Sequence, residues 1–139
     1  MRRMIYGIGI DLVNVKRIED ALQRWGERFQ RKVFTTGEIV YCLRKRNPFP
    51  NFAARFAAKE AFVKALGLGI RRGVHWKEVE VQHDPLGKPT LKVSGRALEI
   101  CQQGGIEGLF LSLTHNHEYS SAMVILEKKI GERKNKVQA

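Results

Sequence analysis

The run from Phe52 to Leu66, FAARFAAKEAFVKAL, constrains the fold more than any other stretch of this chain. Its alanines and straight-chain residues favour helix, and Gly67 stands where a C-terminal glycine stops one. Stepping round the axis at about 100° per residue puts Phe52, Phe56, Val63 and Leu66 on one side and alanines on the other. Nearly every direction is apolar or small, so the helix belongs in the interior. It nonetheless carries Arg55, Lys59, Glu60 and Lys64, and charges taken out of water need counter-charges, a metal or a charged ligand. On the helix alone, an i,i+4 pair between Glu60 and Lys64 with its heads in water is the simpler account.

Around this helix the pattern is mixed. Ile5 to Val13 reads as a strand, and Asn14 is placed to cap a helix with apolar positions Val15, Ile18, Leu22 and Trp25, ending at Gly26. Trp25 is expected in the core. The opposite stripe carries Arg17, Arg24 and Arg28. Thr35 with Glu38 forms a capping-box pattern for a short helix that the Asn47-Pro48-Phe49-Pro50 loop closes. Val79 and Val81, then Leu91 and Val93 across a Pro85-Leu86-Gly87 turn, alternate as a hairpin does. Ser94 is placed to cap a helix through Cys101 to Gly104, and Leu109 to Leu113 and Tyr119 to Leu126 read as a second hairpin. The order predicts an α+β fold, an antiparallel sheet packed on a long central helix. Residues 1–127 form one domain, and 128–139, polar, basic and without period, form a disordered tail.

Composition removes several classes. The chain of 139 residues carries a formal charge of +11, of which five Lys/Arg and one Glu from Lys128 onward supply +4 and the body +7. Such a field favours acidic partners without choosing among them. Cys42 and Cys101 lie far apart without metal-ligand spacing, so neither a disulfide scaffold nor a zinc module is expected, and a reducing cytoplasm fits. No apolar run is long enough for a membrane span.

Asp11 is a second anomaly, a carboxylate in a strand whose neighbours Ile8, Ile10, Leu12 and Val13 are apolar. A turn or capping role is the simple reading, but Asn14 is the better cap. A carboxylate at a strand end beside a helical glutamate suits magnesium, which takes one or two carboxylates and completes its shell with water and phosphate oxygens. Arg55, Lys59 and Lys64, followed by the glycine-rich stretch from Gly67 to Gly73, are placed for phosphate. Gly7-Ile8-Gly9 lacks the third glycine of a dinucleotide fingerprint. His115 and His117 have no accompanying ligand cluster, and a polar turn explains both, although His115 also suits contact with an anion.

Taken together, Gly7-Ile8-Gly9-Ile10-Asp11-Leu12 with Arg17-Ile18-Glu19, and Arg55-Phe56-Ala57-Ala58-Lys59-Glu60-Ala61 with Lys64-Ala65 and Gly67-Leu68-Gly69, carry a resemblance. The chain resembles the holo-acyl-carrier-protein synthases, the small bacterial branch of the 4'-phosphopantetheinyl transferases, over residues 5–127. Gly87-Lys88-Pro89, Leu111-Ser112-Leu113-Thr114-His115 and Glu118-Tyr119 agree with it.

The resemblance implies a cytoplasmic enzyme of fatty acid biosynthesis. It would move the phosphopantetheine arm of coenzyme A to a serine of apo acyl carrier protein and release adenosine 3',5'-bisphosphate. It assigns catalysis to Asp11, Glu60 and Lys64, with Asp11 and Glu60 binding Mg2+ and Lys64 assisting the leaving phosphate. It places Arg55, Gly67, Gly69, Lys88, Ser112, Thr114 and His115 in the coenzyme site, and it implies a homotrimer with active sites between subunits. Glu60 and a metal-bound water near Asp11 both stand as the base. Arg17, Arg24 and Arg28 would dock the acidic carrier, each being by default a solvated surface charge. The rival reading, a basic nucleic-acid module, leaves Asp11 and Glu60 unexplained and has no recognition motif behind it. A purely structural role explains them no better.

Overall fold

The structure is a computed structural model that describes residues 2–67 and 73–131. Strand β1 (Arg2–Asn14) leads into α1 (Val15–Trp25), α2 (Glu27–Val33), α3 (Thr36–Leu43) and the long α4 (Phe49–Leu66). A hairpin of β2 (Val79–His83) and β3 (Pro89–Val93) follows, then α5 (Gly95–Gln103) and a second hairpin of β4 (Ile106–His115) and β5 (Tyr119–Ile130). The expected α+β arrangement holds. β5 lies between β1 and β4 in one antiparallel sheet, and β2 with β3 forms a separate two-stranded one.

Local chemistry explains most boundaries. Asn14 Oδ1 accepts the Arg17 N–H, and Thr35 with Glu38 completes a reciprocal capping box. Gly67 ends α4 in the left-handed conformation at φ 79°, its N–H on the Lys64 carbonyl. α4 starts three residues before the expected Phe52, because Pro50 sits in the first turn, where its missing N–H has no intrahelical use. Ser94 holds the N-cap position of α5 without a side-chain bond, and Glu78 Oε1 accepts the Ala97 N–H there instead.

Two further expectations change. Lys128 to Ile130 are not tail but the end of β5, paired with Met4 to Arg2, while residues 132–139 lie outside the described residues. Trp25 is not core: it stands at the elbow between α1 and α2, 52% exposed, with the Arg24 guanidinium 5.1 Å from its ring centre. Cys42 and Cys101 are buried and free. Among the described residues no helix is long and apolar enough to cross a membrane.

The inner face of the main sheet is set by alternation. Gly7, Gly9, Asp11 and Val13 on β1 pair with Leu126, Val124, Ala122 and Ser120 on β5, all four of the latter buried. α4 crosses this face so closely that a Cβ at Gly7 would overlap the carbonyl oxygen of Ala65, and one at Gly9 that of Ala61. Backbone packs on backbone there, which only glycine permits. Gly9→Ala is therefore expected to cost at least the ~1–3 kcal/mol typical of overpacking. Urea unfolding checks it.

Candidate active site

The glycine register delivers Asp11. Moving along β1 from Gly7 to Gly9 moves along α4 from Ala65 to Ala61, so Asp11, next on the same face, is carried to the helix stripe that holds Glu60 and Lys64. Lys64 Nζ lies 2.9 Å from Asp11 Oδ1 and 3.0 Å from the Ile10 carbonyl oxygen. The lysine that sequence reasoning pairs with Glu60 thus reaches across to the strand. Glu60, one turn back along α4, is half-buried, with Oε2 shielded from solvent.

The arrangement suits a hard divalent cation. Carboxylate oxygen is the donor such an ion takes, and a positively charged group already sits in bonding distance of Asp11, with Glu60 one turn along the helix from that group. Among the described residues no group of three or more His, Cys, Asp or Glu converges.

Arg55 lies elsewhere on α4, 2% exposed, and its Nη1 donates weakly to the Asn51 carbonyl at 3.4 Å. Its Nε and Nη2 have no partner among the described residues. Its guanidinium covers the Tyr41 ring at 4.1 Å, and Tyr41 stacks on His83 at 4.5 Å. With Gly37, Glu80 and Gln82 these groups line a cavity of about 280 Å³. Burial lowers the His83 pKa, and the Arg55 and Lys45 charges lower it further, so the imidazole resists protonation. Sequence reasoning missed Tyr41 and His83. They come from α3 and β2, and no spacing connects them to Arg55.

Lys59 departs from expectation. It is sealed in the interior rather than turned to a phosphate: its Nζ donates to both oxygens of buried Glu38, at 2.8 and 3.1 Å, and to the carbonyls of Trp76 and Val79. Glu38 also accepts the Val81 N–H at 2.8 Å and the Thr35 N–H at 2.9 Å. Burial pulls the Lys59 pKa down, and the Glu38 charge opposes it.

The remaining predicted residues divide between places. Lys88, at the β2–β3 turn, shares a cleft of about 140 Å³ with Ser112, Phe110 and Met123. Ser112 and Thr114 point to the outer face of the sheet, away from Asp11, and His115 is exposed at the end of β4. Gly67 caps α4 beside Lys64, whereas Gly69 lies outside the described residues. Arg17 and Arg24 on α1 are exposed, and so is Arg28, which belongs to α2 rather than to the first helix.

The structure thus places Asp11 with Lys64 on the stripe of α4 that carries Glu60, and holds Arg55 apart, in the cavity with Tyr41 and His83. The family model for the 4'-phosphopantetheinyl transferase superfamily matches residues 7–123. A holo-acyl-carrier-protein synthase of Syntrophus aciditrophicus is 48% identical over 124 residues, 89% of this chain and 97% of that one. The crystal structure of the holo-acyl-carrier-protein synthase from Neisseria meningitidis superposes with a TM-score of 0.81 at 39% identity, covering 90% of this chain and 100% of that one. The Helicobacter pylori holo-acyl-carrier-protein synthase in complex with coenzyme A gives a TM-score of 0.75 at 30% identity, covering 86% and 98%. The chain belongs to the 4'-phosphopantetheinyl transferase superfamily.

Proposed function

We infer that this chain is a holo-acyl-carrier-protein synthase, which transfers the 4'-phosphopantetheine group of coenzyme A to a serine of apo acyl carrier protein and releases adenosine 3',5'-bisphosphate, in fatty acid biosynthesis. The observation that carries the mechanism is the glycine-to-helix contact that brings Asp11 to the stripe of Glu60 and Lys64. Asp11 and Glu60 are the ligands of a Mg2+ ion. Bound there, magnesium supplies Lewis-acid stabilisation of charge on the phosphoryl oxygens. The chain's own residues do the rest. Lys64 presents an ammonium to the departing phosphate: the serine oxygen bonds to the pantetheine-bearing phosphorus as that phosphorus loses its bond to the adenosine bisphosphate, and the serine proton passes to Glu60 or to a water near Asp11. The unpartnered Nε and Nη2 of Arg55 offer two donors to a coenzyme phosphate, and a buried guanidinium gains most from such a partner.

Replacing Asp11 or Glu60 with alanine is expected to lower carrier labelling about 100-fold or more, the scale on which losing one transition-state contact slows a reaction. Mass spectrometry of the carrier, with and without Mg2+, measures this. Full labelling by either variant, or labelling indifferent to the ion, refutes the assignment.

Arg17, Arg24 and Arg28 form the docking surface for the acidic carrier, supported by their exposure along α1 and α2. Reversing Arg17 and Arg24 to glutamate is expected to raise KM for the carrier about tenfold or more, because like charges now face each other, with coenzyme binding nearly unchanged. Calorimetry that finds coenzyme affinity lost instead places the docking face elsewhere.

The enzyme is a cytoplasmic homotrimer with its active sites between subunits. In support, the outer face of the main sheet leaves Ile8, Ile10, Leu12, Phe110 and Met123 exposed, a contiguous apolar surface of the sort that marks an interface. Ser112 and Thr114 lie on that same face, opposite to Asp11, so a coenzyme site using both needs a second subunit. Ile10→Glu is expected to yield monomers in sedimentation velocity and to lose transfer with them. A monomeric wild type would exclude the assembly.

A further inference from the structure

The two partners in the Asp11 to Lys64 ion pair are unequally free. The Asp11 side chain is 16% exposed and that of Lys64 55%. Asp11 is fixed from both sides, since its strand is pressed on α4 through Gly9 and its carbonyl accepts the Ser121 hydroxyl at 2.9 Å. Lys64 carries its charge on a four-carbon stem that leads out to water. A divalent cation arriving at Asp11 therefore meets a positive centre already bonded to the same carboxylate. Two cations on one carboxylate repel, and of the two only the lysine head has somewhere to go.

Resting on the metal site described above, we propose that Lys64 is a positioning residue for it. Lys64 holds the Asp11 carboxylate as an internal counter-ion and is exchanged for the divalent cation. The exchange makes and breaks no covalent bond. Asp11 passes from neutralising an ammonium to neutralising part of the metal charge, and the ammonium becomes available to the phosphate that enters with the coenzyme. One side chain thus keeps the half-buried carboxylate paired before loading and supplies a cation to the substrate afterwards. The Ile10 carbonyl, which also holds Lys64, fixes the resting position of the head on the strand and not on the neighbouring helical turn.

The test is Mn2+ binding to the whole chain without coenzyme, read from the electron paramagnetic resonance of the free ion, for wild type, Lys64→Met and Asp11→Asn. Lys64→Met is expected to bind Mn2+ about fivefold more tightly, the upper end of what a partly exposed pair withholds. In protein labelled at lysine, the Lys64 ε-methylene resonance moves toward that of a free lysine on Mg2+ titration, with its midpoint at half-saturation of the site. A lysine that only feels the ion through space keeps its hindered signal. Equal or weaker Mn2+ binding by Lys64→Met, or a Lys64 resonance indifferent to Mg2+, overturns the exchange while leaving the metal site standing. Wild-type Mn2+ affinity in Asp11→Asn overturns the metal site, and the exchange with it.

Discussion

The approach of β1 to α4 at backbone distance is the constraint on which the site depends. Side chains normally hold packed layers apart, roughly 10 Å between two stacked sheets. Gly7 and Gly9 remove that spacing where the strand meets Ala61 and Ala65, themselves the smallest chiral residues. The register is then fixed in both directions: sliding β1 by one residue would drive Ile8 or Ile10 into the helix. Asp11 inherits its position from this lock, and no loop intervenes between the lock and the carboxylate. Groups held by packed elements keep their geometry better than groups on loops.

The charges on α4 find three different solutions. Lys59 is answered inside the protein by Glu38 and two carbonyls, Lys64 at the surface by Asp11, and Arg55 partly by the face of the Tyr41 ring. Burying an ion pair returns little net stability, because desolvation offsets the attraction, yet removing one partner leaves a costly lone charge. The Glu38 to Lys59 pair is therefore better understood as a device for position. Through Thr35, Trp76, Val79 and Val81 it joins α3, the start of β2 and α4 at one point.

Much of this was legible in the sequence because local chemistry decided it. Asn14, Thr35 with Glu38, and Gly67 mark helix ends by their own hydrogen-bonding or conformational needs, and the misfit of Asp11 among apolar neighbours signalled its need of a partner, which Lys64 supplies. What stayed hidden depended on distant partners. Lys59 meets a glutamate 21 residues away, one already accounted for as the far half of a capping box. Lys128 to Ile130 read as tail because their strand partners, Arg2 to Met4, are largely polar as well. Trp25 follows helical spacing, but α1 ends at that residue and the chain turns away, leaving no layer to cover it. Apolar residues on the outer face of β1 look the same whether a helix or another subunit covers them.

The β2–β3 hairpin has its own hydrogen-bonded ladder and, among the described residues, shares none with the main sheet. Its attachment runs through Val79 and Val81, buried in the core, through the Val81 N–H donated to Glu38, and through the Thr35 to Glu80 bond and the Tyr41 to His83 stack. The arm bearing Lys88 is therefore held to the body bearing Asp11 by shared core packing and side-chain bonds instead of a continuous ladder, so its placement is a matter of side-chain fit.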